Sequence, residues 1–130
     1  MRDASGYLPG HNDVYVSLQM VKRLYIPAAI RFTSELGGSI AAVGKAATVQ
    51  KALLAEVSAL LASAAGKVKK LEEETAKAQA IGQVEKQATA YRDKVFVTMQ
   101  ALRKDIDALE GIMPNDLWPV PTYSDLLFKL

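Results

Sequence analysis

Side chains able to do chemistry are few in this chain, and their spacing does not group them. His11 is the single histidine among the 130 residues and cysteine is absent. A histidine-ligated metal and a histidine-dependent triad are therefore not expected, nor is a thiolate nucleophile or zinc site. Asp105, Asp107 and Glu110 crowd one stretch. Residues two apart on a helix point to different faces, so Asp105 and Asp107 do not make a carboxylate pair, and solvation is their expected role. Gly37-Gly38 is followed by Ser-Ile-Ala-Ala, without the lysine of a phosphate-cradling loop. The run KVKKLEEETAK, Lys67 to Lys77, alternates sign in blocks and reads as a solvated helix face, with Glu73 spaced to meet Lys77 one turn later. No catalytic, cofactor-binding or metal-binding residue is assigned, and the segment alone is expected to be inactive.

What stands out is a packing element. Leu117 to Phe128, LWPVPTYSDLLF, gathers the only tryptophan with two prolines, a tyrosine and a phenylalanine. Pro119 and Pro121 bias Trp118 and Val120 toward extended backbone. Thr122 and Asp125 have capping-box spacing, so Tyr123, Leu126, Leu127 and Phe128 are expected on a short helix over residues 122–128. So short a helix is marginal alone in water. It needs a surface, and Trp118 is the natural anchor because a buried indole combines a large apolar body with one donor.

That surface must come from the elements upstream. Residues 1–12 mix Gly, Pro, Ser and Asp without period and read as a flexible lead-in, after which Asn12 or Asp13 is expected to cap a helix. Val14, Leu18, Val21, Tyr25, Ala28, Phe32, Leu36, Ile40 and Val43 recur at steps of three or four, which predicts a helix over residues 13–43. Pro27 predicts a kink or short break in it. Gly37 and Gly38 predict a second weak point or the close approach of a neighbouring helix.

Gly44-Lys45 marks a turn, and Thr48 is the expected cap of a second helix over residues 48–81. The seam of that helix is Val49, Leu53, Val57, Leu60, Ala64, Val68, Leu71, Thr75, Ala78 and Ile81, widened by Leu54 and Leu61. Gly82 is expected to end it in left-handed geometry. A third helix over residues 84–112 follows from Val84, Ala88, Tyr91, Val95, Met99, Leu102, Ile106, Leu109 and Met113, with Pro114 as its stop. Tyr25, Phe32, Tyr91 and Phe96 fall on or beside these seams and are expected in the core. The fold class is thus all-α, a single domain over residues 13–130. Three long helices, the first kinked near Pro27, form an antiparallel bundle, with the short C-terminal helix docked by the Trp/Pro-rich tail.

Composition narrows the partners. Sixteen Lys and Arg against fourteen Asp and Glu leave a formal charge of +2, too balanced for a phosphate-binding footprint, so nucleic acid is not indicated. Half of the residues are apolar, yet the longest uncharged apolar-leaning run, Val57 to Gly66, is about half of what spans a bilayer. No membrane partner and a cytoplasmic location are expected, the absence of cysteine being compatible with a reducing compartment.

The tail also carries a resemblance. Trp118 to Phe128, WPVPTYSDLLF, resembles the C-terminal signature of type III glutamine synthetases, of the form WPFPTYGDLLF, departing at Val120 and Ser124. Tyr91-Arg92-Asp93 and Met99 to Arg103, with Asp107, Leu109 and Glu110, are similar to the last long helix of that family. Val97-Thr98 departs from it where a Pro-Ala pair would stand. Val21-Lys22-Arg23, Ile26 to Arg31 and Glu35-Leu36 are similar to the segment preceding the family's helical C-terminal region. The resemblance spans Val14 to Phe128. It implies the C-terminal structural and assembly domain of an ATP-dependent glutamate–ammonia ligase. ATP and divalent metal (Mg) would belong to the parent enzyme, and the partners would be its catalytic region and neighbouring subunits of a dodecamer. The alternative from the seams alone is a free-standing helical-bundle interaction module, an adaptor or coiled-coil partner.

Overall fold

An apolar residue at every third or fourth position makes a rod with one sticky stripe, and such rods bury their stripes against one another. The computed structural model describes residues 11–114, 116 and 117, and the side chains from Val14 onward. The described residues are helical without a strand, and three long rods form a helical bundle. Rod α1 covers residues 11–43, α2 is Thr48–Gln79, and α3 covers residues 84–112.

Two of the rods contain a widened turn. In α1, α-helical His11–Met20 passes through a π-helical turn, Val21–Tyr25, into α-helical Ile26–Val43. Pro27 has no amide to donate, and its ring would crowd the carbonyl one turn back. The wider turn just ahead, closed by the Ile26 amide donating to the Val21 carbonyl, relieves that crowding. The distortion expected at Pro27 therefore takes the form of a π turn, and Ile26 keeps helical angles of φ −62°, ψ −48°.

In α3 the segments Val84–Ala90 and Phe96–Ile112 flank a second π turn, Tyr91–Val95, closed by the Phe96 amide on the Tyr91 carbonyl. Val97 stands two residues after this turn, as Pro27 stands two residues after the first. Val97→Pro is accordingly expected to cost well under the ~3 kcal/mol of a proline in a regular helix interior. Lys104→Pro, at an exposed position of the regular segment, is expected to cost that full amount. Urea midpoints of the two variants check the contrast.

Several local expectations are corrected. Thr48 is the first residue of α2 and not its cap; the fully buried Ala47 takes that place, with no side-chain cap, and its carbonyl accepts from the Lys51 amide at 3.0 Å. Burying the small Ala47 against the turn replaces the polar cap the spacing suggested. The turn itself is a 3-10 segment, Gly44–Ala46, entered through Gly44 at φ 73°, a conformation that suits glycine. α2 stops at Gln79, and Ala80 stays right-handed at φ −76°. Gly82 lies in the connection without positive φ, so it does not end α2 by a left-handed cap. Side chains added at Gly37 or Gly38 would meet nothing, so no helix approaches closely there, and Ile26–Val43 runs unbroken through both. α1 is described from His11, within the expected lead-in; the cap expected at Asn12 or Asp13 lies outside the described side chains. At the other end Met113 is extended, as a residue before proline should be.

The core is continuous. It takes Val14, Leu18, Val21, Ala28, Phe32 and Leu36 from α1, Val57, Ala64, Val68, Leu71 and Ala78 from α2, and Tyr91, Val95, Leu102, Ile106 and Leu109 from α3, with Met113 just beyond. α2 packs along both other rods. Residue numbers rise along α1 as they fall along its contacts on α2: Lys22 Nζ meets Glu72 at 2.8 Å, and Ser39 Oγ accepts from Gln50 Nε2 at 3.2 Å. Between α2 and α3 the same holds, from Ser63 with Asp105 to Ala78 with Gln87.

The seam does not stay buried throughout. Val43 and Val49, expected in the core, are 47% and 67% exposed, and Ile40, Leu53 and Leu54 are half-buried. They occupy the end of the α1–α2 hairpin, beyond the level at which α3 stops. At the opposite end Val84 is 44% exposed and Ala88 is also exposed, where α3 begins. Burial along the seams is deepest where all three rods run side by side.

Candidate functional site

Polar side chains on an apolar stripe are costly unless they find partners, so their partners define the most specific surface of the bundle. Three such groups lie in the α2–α3 seam. At the first, the Ser63 hydroxyl donates to Asp105 Oδ2 at 2.7 Å, and Lys67 Nζ donates to the same oxygen at 2.9 Å and to Ser63 Oγ at 3.0 Å. Asp105 is 8% exposed. The solvated role expected for it is therefore overturned, because it faces α2 and anchors both donors. Asp107 is exposed as expected.

Two turns further along, buried Thr98 donates its hydroxyl to Glu74 Oε1. Past that, the Tyr91 hydroxyl is hydrogen-bonded with the Gln79 side chain, and Gln87 Nε2 donates to the carbonyls of Ala78 at 3.1 Å and Gln79 at 3.3 Å, closing the end of α2. The Lys67–Lys77 run is thus only partly a solvated face. Lys67 and Glu74 reach α3 and Glu72 reaches α1, while the expected Glu73–Lys77 pair is not formed among the described residues. Sequence spacing could not find these pairings, since each joins residues 24 or more positions apart.

Thr75, expected on the seam, manages its hydroxyl locally by donating to the Leu71 carbonyl one turn back, at 2.7 Å. Aromatic residues behave as core. Tyr91 and Phe32 are buried, Tyr25 and Phe96 partly so, and the Tyr91 and Phe96 rings sit 6.1 Å apart at 51°.

Chemically the first cluster is a clamp. Lys67 Nζ donates to both Asp105 and Ser63, and the Ser63 hydroxyl is itself committed to Asp105, so the three side chains tie α2 to α3. Among the described residues no group of three or more His, Asp or Glu side chains could hold a metal ion.

Both seam tyrosines are held above their ordinary phenol range. For Tyr91 burial is the cause, partly offset by the hydrogen bond with Gln79. For Tyr25 burial leads, followed by the repulsive charge of Glu110, with Arg103 opposing and Asp107 adding to it. These neighbours also place the α1 π turn beside the second half of α3. Because the fold favours the neutral phenol, the associated stability is complete below the ordinary phenol pKa of about 10 and is lost as pH rises through the raised values. Tyr91→Phe is expected to narrow the fall in urea midpoint between about pH 8 and about pH 11. An equal fall in both proteins contradicts it.

The packing residues expected at Trp118, Pro119, Pro121, Thr122, Tyr123, Asp125, Leu126, Leu127 and Phe128 lie outside the described residues. The chain enters that stretch from Leu117, which packs partly against the core and whose amide donates to the Pro114 carbonyl at 3.1 Å. No described helix is long and apolar enough to cross a membrane. Searches against protein-family models, curated proteins and solved structures find no match.

Proposed function

We propose that this chain is the C-terminal helical domain of a type III glutamine synthetase, with a structural and assembly role in an ATP-dependent ligase that joins ammonia to glutamate. The observation that carries the reading is the WPVPTYSDLLF tail together with the upstream matches in order from Val14. Trp118, Pro119, Pro121, Thr122, Tyr123, Asp125, Leu126, Leu127 and Phe128 are its packing and family-motif residues. The three rods pack as an antiparallel bundle, with the tail and its short helix docked on it. ATP and divalent metal belong to the catalytic region of the parent, which with neighbouring subunits of a dodecameric assembly is the partner. The compartment is the cytoplasm.

The second π turn supports the reading. It lies just ahead of Val97, where the family pattern has a proline, and a widened turn is what a proline there needs.

The test is twofold. Sequencing the surrounding locus is expected to place a synthetase catalytic region upstream in the same reading frame; a frame without one overturns the domain assignment. A catalytic region produced without its helical C-terminal part is expected to recover its large assembly when the chain is supplied, and the chain alone is expected to make no glutamine. The exposed apolar side chains of Val16, Ile30 and Val97 favour, as a second reading, a free-standing interaction module. Stable capture of an unrelated partner, with no affinity for the synthetase core, would select it.

A further inference from the structure

The two connections of the bundle are built differently. Between α1 and α2 the chain reverses through Gly44 at φ 73°, and Ala47 at the end of that turn is fully buried. Between α2 and α3, residues 80–83 hold no positive φ, and Ala80, Gly82 and Gln83 are exposed. Ala80 keeps right-handed angles of φ −76°, ψ −13°, Gln83 is extended at φ −99°, ψ 128°, and no proline stands between Thr48 and Ile112. No residue type here forbids a helix. The reversal is closed in part by a side chain, since Gln87 Nε2 donates to the carbonyls of Ala78 at 3.1 Å and Gln79 at 3.3 Å. In an uninterrupted helix those same carbonyls accept from the amides of Gly82 and Gln83. Gln87 thus fills in for bonds that straightening restores. The seam counts through as well: Val57, Ala64, Leu71 and Ala78 recur at every seventh residue of α2, and Met99, Ile106 and Met113 fall on the same count in α3. One helix would carry both stripes on one side.

We propose that a second copy of this chain is a partner of the α2–α3 seam: two copies exchange α3, each joining its α2 and α3 into one helix over residues 48–112, and the α3 of one copy seats on the α1–α2 pair of the other. The polar pairs of the seam survive the exchange, because Lys67 with Asp105, Ser63 with Asp105 and Glu74 with Thr98 meet between copies in the same antiparallel sense as within one. Only the connection changes. The joined helix is about 98 Å long, and the two copies cross at the point midway between paired residues. Midway between Ser63 and Asp105 stands Val84, and midway between Gln79 and Tyr91 stands Glu85. Val84 is 44% exposed in the single chain and meets its own counterpart at the crossing. Exchange therefore adds apolar burial where the single chain leaves a valine in water, and rising protein concentration favours it. It does not depend on which enzyme the chain belongs to.

The full chain, unfolded in urea and refolded at high protein concentration, is expected to separate by gel filtration with light scattering into a monomer and a slowly interconverting dimer. Gln87→Ala, which removes the side-chain donor from the reversal, is expected to raise the dimer fraction several-fold. Gly82→Pro bars a continuous helix and is expected to leave monomer alone, with far-UV circular dichroism showing helix retained in both variants. The chain has no cysteine, so Val84→Cys places a single thiol at the crossing. In the isolated dimer it is expected to form an intermolecular disulfide many times faster than Val97→Cys, whose two thiols would lie roughly 40 Å apart along the helices. Monomer alone from both the unaltered chain and Gln87→Ala overturns the proposal. So does a dimer that persists in folded Gly82→Pro, and so do equal disulfide rates for the two thiols. An absent catalytic region in the locus would sink the synthetase assignment while leaving these outcomes intact.

Discussion

Leu71→Ala is expected to lower folding stability by about 2–5 kcal/mol, which moves the urea midpoint while leaving the slope unchanged. Leu71 is fully buried on the central rod. Its position is bracketed: Glu72 reaches Lys22 on α1, and Glu74 reaches Thr98 on α3. Leu71 therefore lies at a level where all three rods meet, and the cavity left by its truncation has walls on three sides that cannot collapse together. Val49→Ala, on the same seam but 67% exposed, is expected to change the midpoint by no more than about 0.5 kcal/mol. A similar loss at both positions would mean that α2 is not the middle of the bundle.

Asp105→Ala carries the second large effect, a loss of about 1–3 kcal/mol. Asp105 accepts from Lys67 and Ser63 through one oxygen, and its removal leaves the Ser63 hydroxyl without its acceptor and the half-buried Lys67 without its counter-charge. The loss stays below that of a fully buried pair because Lys67 retains access to water, at 32% side-chain exposure. Replacing both charged residues, Lys67→Met with Asp105→Leu, is expected to recover most of the stability, since two apolar side chains of similar volume need no acceptor. A double-mutant cycle measures the coupling, and additivity of the two single changes would show that the ion pair contributes nothing. If the pair also sets the register of α3 on α2, the double variant will keep its stability but broaden its amide proton spectrum.

Much of the architecture was legible because it is local. Steps of three and four, Gly44 at the first turn and Pro114 after the last seam residue are properties of consecutive residues, and the described residues form three rods. The misplaced details each involve competition between local chemistry and packing. Thr48 had the right side chain for a cap, but Ala47 occupies the buried position. Gly82 had the freedom to go left-handed, but α2 had already ended at Gln79. Gly37 and Gly38 left room for a neighbour that does not come.

The site was less legible for a different reason. Asp105 looks like any surface carboxylate in its own neighbourhood, and nothing within ten residues of it announces Ser63 or Lys67. Its burial follows from the register of α3 on α2. The register in turn follows from fitting whole stripes of side chains together.

By itself, then, the amino-acid sequence determined that the chain is helical, with rods separated near Gly44 and Gly82, and which stripe of each is apolar. Only the tertiary structure decided how the helix opens ahead of Pro27 and Val97, which polar side chains the α2–α3 seam encloses, and that Val43 and Val49 stand exposed at the end of the described rods. Periodicity is a property of one helix. Burial depends on how far its neighbours extend beside it, and that is settled when the rods meet.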